Sequence, residues 1–367
     1  MKKRLSILLS LVIVLSICAP ITSVMAEEAR KQSVLKTGKE IAALCNKYDN
    51  YSNSNDGDKI DNRLMVKTND NIDEYGAVDS VYGFGYAFLQ YADDESAEFA
   101  KTQYETSGYT ADYDSVITTS STSIGSGGNW SDEWAYEETD AVSALDYYKS
   151  KIKPNINIAI LDSGINYNHE LFKNRVVHTH TDFSTDASDD EMDKYGHGTN
   201  VAGAIAKSTP SNVRLSCYKI HNQNGEGTSA TALAAFEYIK QLSNKPDIIN
   251  CSFVTRSGLG TVVDELVDMG ITVVAGAGNE GKEVYQQPAI FDSAITVAAT
   301  NRYGSACGFS NYGSCVDIAA PGDYVYTADM SSNTAYEFAS GTSLATPLVS
   351  AAAAYVLMET ENTHPNR

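Results

Sequence analysis

The sequence predicts an α/β fold, a mainly parallel sheet with helices on both faces, preceded by a small α+β domain. Three observations predict it. Beyond residue 129, short apolar runs (INIAILDSG, VRLSCYKIH, DIINCSF, ITVVAGA, AITVAAT) alternate with helical segments, as buried parallel strands joined by crossover helices do. Before residue 116, NRLMVKT (Asn62 to Thr68) and VYGFGYAFLQY (Val81 to Tyr91) alternate as strands do, and a short helix follows over Asp94 to Thr106, capped by Asp93 or Asp94. Between the two parts runs ITTSSTSIGSGGN, Ile117 to Asn129, with no periodicity. Its Ser, Thr and Gly residues predict an exposed, cleavable linker. A chain of 367 residues has room for one small and one large domain.

The chain opens with MKKRLSILLSLVIVLSICAPITSVMA: three basic residues, an apolar core, and the small-residue ending Val24-Met25-Ala26. This pattern predicts a secretory signal peptide over residues 1–26, cleaved after Ala26, and hence a secreted, extracellular protein. Ile17 is too large beside Cys18 for a lipoprotein attachment site. Residues 27–125 then form the small domain and linker, and residues 126–367 the large domain.

The formal net charge is −20, which argues against a nucleic-acid partner. The acid is spread over both parts: residues 27–125 carry 9 basic against 18 acidic side chains, and residues 126–367 carry 15 against 29. Contact between the two parts is therefore expected to rest on shape and backbone pairing. Among six cysteines, Cys307 and Cys315 flank a turn in ACGFSNYGSC and could pair in an oxidising compartment, whereas Cys217 and Cys251 sit inside apolar runs as buried thiols. No Cys/His spacing resembles a zinc site.

Val273 to Gly281, VVAGAGNEG, matches the G-x-G-x-x-G fingerprint of dinucleotide binding, but its supporting context is missing. Pro288 interrupts any long helix after it, and Thr300-Asn301-Arg302 stands where the ribose-binding acid belongs. What remains is Asn279 displayed at the end of a buried strand. Other strand ends carry chemistry too. INIAIL ends in Asp162-Ser163-Gly164; YGHGTNVAGAIA sets His197 between glycines before a small-residue helix; ASGTSLATPLVSAAAAYVL puts Ser343 at the start of an alanine-rich helix. Singly, the Asp suits a turn and the His is unremarkable. GTSLATP fails the nucleophile elbow G-x-S-x-G, because its fifth position is Ala345 and the acid and histidine precede the serine.

DSG, GHGTNVAG, AGAGNEG and GTSLATP, in that order, resemble the motifs of subtilisin-like serine proteases over about Trp134 to the chain's end. The resemblance implies a secreted serine endopeptidase with a subtilisin-like fold, made as a self-processing zymogen. Ser343 would attack the scissile carbonyl, His197 would shuttle its proton, and Asp162 would orient the imidazole. Asn279 and the backbone N–H of Ser343 would hold the oxyanion. Gly276, Ala277 and Gly278 would wall the pocket for the residue preceding the cut, their small size bringing the peptide carbonyl close. Gly225 and Gly227 would form one substrate-pairing edge and Ser252 would begin the other. The small domain resembles the family's inhibitory, chaperone-like propeptide. Polypeptides and this propeptide are then the partners, the chain is a monomer, and no cofactor is needed for chemistry. The rival reading is a catalytically silent, peptide-binding relative; an NAD-binding oxidoreductase would instead need nicotinamide binding.

Some positions depart from the family pattern. Val254 brings a branched side chain into the second edge, and Glu280 stands near the pocket, favouring a basic or polar residue there or simply facing solvent. Asn200 replaces the motif's second histidine, a neighbour of the triad without a chemical role. AIAKSTPSNVRLSCYKI lacks the long calcium-binding loop of many relatives. Asp182 to Asp193, DFSTDASDDEMD, is rich in oxygen ligands but lacks a recognisable ligand spacing, so it is expected to be a solvated acidic loop, with a structural calcium left unassigned. The chain ends at NTHPNR, soon after the serine helix, where relatives continue; a fragment is expected.

Overall fold

A computed structural model describes residues 32–33, 36–48, 59–119, 122–124, 131–148, 151, 153–177, 179, 181–184, 186 and 191–360. The signal-peptide reading, the glycine-rich half of the linker and the NTHPNR ending lie outside them.

The N-terminal part comprises α1 (36–48), β1 (Lys59–Lys67), β2 (Asp79–Gly83), β3 (Tyr86–Gln90), α2 (Asp94–Thr106) and β4 (Ala111–Thr119). Asp93 caps α2, accepting from the backbone N–H of Ser96. VYGFGYAFLQY is not one strand. It folds back at Phe84 and Gly85, both at positive φ, into the hairpin β2–β3, because that pair of left-handed residues matches the twist of a tight turn. Alternation along β1 and β3 splits the side chains between two cores. Leu64, Val66, Ala87 and Leu89 pack with Ala97, Ala100 and Tyr104 of α2. Met65, Tyr86 and Phe88 face the other way and join a core containing α1 and the large domain's helices.

The large domain follows: β5 (Thr122–Ile124), α3 (Trp134–Glu138), α4 (Ala141–Tyr148), β6 (Ile156–Asp162), α5 (His197–Ser208), β7 (Val213–Lys219), β8 (Gly227–Thr228), α6 (Ser229–Gln241), β9 (Ile248–Cys251), β10 (Phe253–Val254), α7 (Val262–Asp268), β11 (Thr272–Gly276), β12 (Ile295–Thr300), β13 (Ile318–Pro321), β14 (Val325–Ala328), β15 (Tyr336–Ser340) and α8 (Thr342–Glu359). Six strands form a wholly parallel sheet in the order β13-β12-β11-β9-β6-β7. One face packs on α6 and α7 through residues such as Phe236, Leu233 and Val263, and the other on α5 and α8 through Val201, Ile205, Leu344 and Leu348. With both faces covered, the strands read as continuous apolar runs.

The exposure expected of the linker is not found where it begins. β4 runs on through Thr119 as an inserted strand: Val116 and Ile117 pair antiparallel with Thr228 and Gly227, and Thr118 and Thr119 with Val254 and Phe253. Thr122 to Ile124 then pairs with β15. Ile117 is fully buried. Ser and Thr lack apolar alternation, but strand addition needs only backbone N–H and C=O groups and two waiting edges.

The two parts meet through this pairing, through the shared apolar core and through polar contacts that the sequence did not disclose, among them those of the fully buried Asp114. Asp114 Oδ1 accepts from Ser229 Oγ (2.6 Å) and from the Ala230 N–H (3.0 Å) at the start of α6, where the helix dipole favours a carboxylate. Its Oδ2 receives Arg63 Nη1 at 2.9 Å, and both side chains are fully buried.

Cys307 and Cys315 are free thiols, correcting the pairing expectation. Cys307 packs in the core beneath α5 and α8, and Cys315 against the core on the opposite face of the sheet, so the sheet separates them. Cys217 and Cys251 are buried, and burial pushes both thiols up from their ordinary range.

Candidate active site

Asp162 is the last residue of β6 and His197 the first of α5. The Gly196 that precedes the histidine has φ +113°, a conformation that favours glycine. Both side chains are buried, and His197 Nδ1 lies 2.7 Å from Asp162 Oδ1. The same oxygen accepts from the Ser163 N–H at 2.7 Å, which fixes the carboxylate plane. Ser343 stands in the first turn of α8 after Gly341 (φ +152°). Reciprocal hydrogen bonds tie it to the end of β9: Ser343 Oγ donates to Ser252 O at 3.1 Å, and Ser252 Oγ to Ser343 O at 3.0 Å. β9 is the neighbour of β6, so the acid and serine reach adjacent strand ends. The structure joins Asp162 to His197 but leaves the serine–histidine bond unmade, since His197 Nε2 has no hydrogen-bond partner among the described residues. Such bonds are often long or absent until substrate is seated.

Asn279 reaches the same place from β11. The Thr342 N–H donates to its Oδ1 at 2.8 Å, and the Gly278 N–H donates to Thr342 Oγ1 at 3.2 Å, locking the loop to the start of α8. A backbone N–H only donates, so the amide oxygen faces Thr342 and the amide nitrogen is the group chemically suited to an oxyanion.

The glycines of AGAGNEG also let neighbouring structure approach closely. A Cβ on Gly276 would sit 3.0 Å from Thr346 Oγ1 and 3.2 Å from Thr342 Oγ1; one on Gly278 would meet Asn311 Nδ2 at 2.5 Å. Their missing side chains admit α8 and Asn311, and Ala277 beside them is fully buried. Glu280 is half-buried. It accepts from Asn311 Nδ2 (2.6 Å) and Gln286 Nε2 (3.0 Å), a polar cluster that sequence spacing could not reveal. On the first edge, a Cβ on Gly225 would enter the Tyr195 ring at 2.5 Å, and one on Gly227 would meet Ile220 O and the Ile117 side chain. Ser252 immediately precedes β10, the second edge, where Val254 is buried and paired with Thr118.

Asn200 faces away from any chemistry. Its Nδ2 donates to Ala328 O (2.8 Å) and Glu337 Oε1 (2.9 Å), pinning α5 to β14 and β15. The acidic loop also departs from expectation. Asp182 and Asp186 turn inward onto the buried Lys219 ammonium, Asp186 at 2.8 Å, and Glu191 Oε2 accepts from the Thr179 N–H and Oγ. The cause is Lys219 at the end of β7, whose buried charge must be paired. Among the described residues, no group of three His, Cys, Asp or Glu side chains is arranged to hold a metal ion.

One further residue was missed. His221, just beyond β7, is fully buried with neither ring nitrogen hydrogen-bonded among the described residues. Its N–H lies 3.4 Å from Asp162 O and its ring 6.2 Å from that of Phe253. Burial drives its pKa down to about 4.

Fold and site thus define an α/β protein with an Asp–His pair, a helix-borne serine and an asparagine at the carboxyl ends of parallel strands. Comparison with known proteins agrees. The profile of the subtilase family matches residues 153–367, and the chain belongs to that family. It is 35% identical over 208 residues to an extracellular serine proteinase of Thermus sp. (strain Rt41A), covering 55% of this chain and 50% of the relative. It is 33% identical over 218 residues to a thermophilic serine proteinase of Bacillus sp. (strain AK1), covering 56% and 53%. The crystal structure of a cold adapted subtilisin-like serine proteinase superposes with a TM-score of 0.53 at 32% identity, covering 57% of this chain and 77% of that one. The chain spans about half the length of these two proteinases.

Proposed function

We propose that this chain is the precursor of a secreted serine endopeptidase that cuts its own N-terminal segment. One observation carries the reading: β4 lies as an extended peptide between β8 and β10 and leads to the Asp162, His197 and Ser343 constellation. An inhibitory propeptide would lie in a substrate cleft in this way. Thr119 pairs beside Ser252, the partner of Ser343, and Thr122 pairs with Ser340, three residues before Ser343. Only residues 120 and 121 lie between, which leaves three peptide bonds, and the reading assigns the scissile one to the middle bond, Ser120–Ser121.

In the reaction, Ser343 Oγ turns from Ser252 O and attacks the carbonyl carbon while its proton passes to His197 Nε2. Asp162, hydrogen-bonded at Nδ1, holds the imidazole tautomer and stabilises the imidazolium. The tetrahedral oxyanion is held by the Asn279 amide and the Ser343 N–H. His197 then protonates the leaving amine, and water hydrolyses the acyl-enzyme by the same steps. Polypeptides are the substrates, the propeptide is the first of them, and the chemistry needs no cofactor. Secretion rests on the signal pattern of residues 1–26 and on the extracellular relative.

The unmade serine–histidine bond is what a silent peptide-binding relative would also show. A fluorophosphonate probe separates the two. An active enzyme, once its propeptide is removed, is labelled at Ser343 and loses labelling in His197→Ala; a silent relative is labelled in neither.

A further inference from the structure

Asp193 is buried, and its carboxylate accepts hydrogen bonds from both sides of His197 and from the residue after Asp162. Its Oδ1 accepts from the N–H groups of Tyr195 (3.0 Å) and Gly196 (2.8 Å), the two residues before His197. Its Oδ2 accepts from the Thr199 N–H (2.9 Å) and Oγ1 (2.6 Å), two residues after it. A carboxylate here also meets the positive end of the α5 dipole.

The link to the acid runs through one hydroxyl. Ser163 Oγ donates its single proton to Asp193 Oδ1 at 2.9 Å, which leaves its lone pairs to accept from the Gly198 N–H, also at 2.9 Å. Ser163 directly follows Asp162 and gives its N–H to the Asp162 carboxylate; Gly198 directly follows His197. The residues after both members of the pair therefore meet at a hydroxyl whose direction Asp193 sets. The surrounding backbone has no slack. A Cβ on Gly198 would lie 2.1 Å from Gly164 O, and one on Gly164 would lie 2.7 Å from Asp193 N and Cα.

We propose that Asp193 is a positioning residue for the reaction, holding His197 against Asp162 through Ser163. The proposal rests on the endopeptidase reading for its kinetic consequence but not for its structural one. Asp193→Asn keeps the shape but puts either an amide N–H against Thr199 N–H or one against Ser163, so one limb of the network is lost.

The test uses the full chain in two settings. In a Ser343→Ala background, proton NMR follows the His197 Nδ1 hydrogen bonded to Asp162, alongside thermal unfolding. The expected result is a sharp downfield signal in the parent that is broadened or lost in both Asp193→Asn and Ser163→Ala while both remain folded. In the active chain, both variants lower kcat about 10- to 100-fold, the scale of a slightly misplaced catalytic group, with KM nearly unchanged. Combining them adds little, because they break one linkage. A histidine signal and kcat equal to the parent's in both variants, with only stability reduced, would overturn the proposal. Should Asp193→Asn fail to fold, Ser163→Ala decides alone. If the wild type is never labelled by the serine probe, the endopeptidase reading fails, and the NMR result still judges the positioning role.

Discussion

Ile117 pairs antiparallel with Gly227, and its side chain fills the space that a Cβ on that glycine would occupy. The glycine is thus explained from both sides: its backbone holds the strand and its missing side chain admits the isoleucine. An aspartate at 117 would have to bury a charge among Ile220, Gly227 and the core around Phe253, at a cost of several kcal/mol. In a Ser343→Ala chain, Ile117→Asp is expected to lower hydrogen-exchange protection of the 116–119 amides at least ~100-fold, while α2 and β3 keep theirs.

Asp114 should be the costliest single removal at the interface. Asp114→Ala takes the carboxylate away from the buried Arg63 guanidinium and from the Ala230 N–H together, so a loss of about 3–5 kcal/mol in urea unfolding is expected. Arg63→Met combined with Asp114→Asn should be milder than Asp114→Ala, since no charge is then left buried. Equal losses would mean that the ion pair is not what the site protects.

For Asn279→Ala, the expected result is a ~100- to 1000-fold fall in kcat with little change in unfolding midpoint, because one oxyanion donor is removed while the Gly278–Thr342 bond still ties the loop to α8. Unchanged turnover would remove Asn279 from the site.

His221 gives a pH test with a defined sign. Its folded pKa of about 4 lies below the ordinary 6.5, so its contribution to stability is present above pH 6.5 and is lost as pH falls toward 4. The loss is roughly 2 kcal/mol at pH 5. Asp182 works in the opposite direction: burial raises its pKa to about 6, and the folded state gains stability as this carboxyl protonates. The histidine is therefore read by difference. Relative to wild type, His221→Leu should be about 2 kcal/mol more stable at pH 5 than at pH 7.5; a difference independent of pH would mean that the ring is not sealed.

The central sheet was legible because strands covered on both faces are mostly apolar, and INIAIL and ITVVAG are; VRLSCYK, at the sheet edge, carries Arg214, Ser216 and Lys219 among its apolar residues. The strand Ile318–Pro321 was not, being a four-residue edge strand ending in proline. Asp162, His197, Ser343 and Asn279 were legible from glycine-flanked motifs at strand and helix ends. Their supports were not. Ser163, Thr342 and Asn311 act through contacts between segments distant in sequence, and Asp193 joins its local bonds around His197 to such a contact with Ser163. The inserted strand escaped notice because its pairing depends on edges supplied over 100 residues later. Lys219 similarly turned an acidic loop inward from the end of β7, over 25 residues later in the chain.

The most direct test of the account is intact-mass spectrometry of the purified precursor and its Ser343→Ala variant at neutral pH. The account predicts that only the wild type is cut, between Ser120 and Ser121, giving an N-terminal fragment ending at residue 120 and a new N-terminus at residue 121. Two intact, folded chains, or identical cleavage of both, would contradict it.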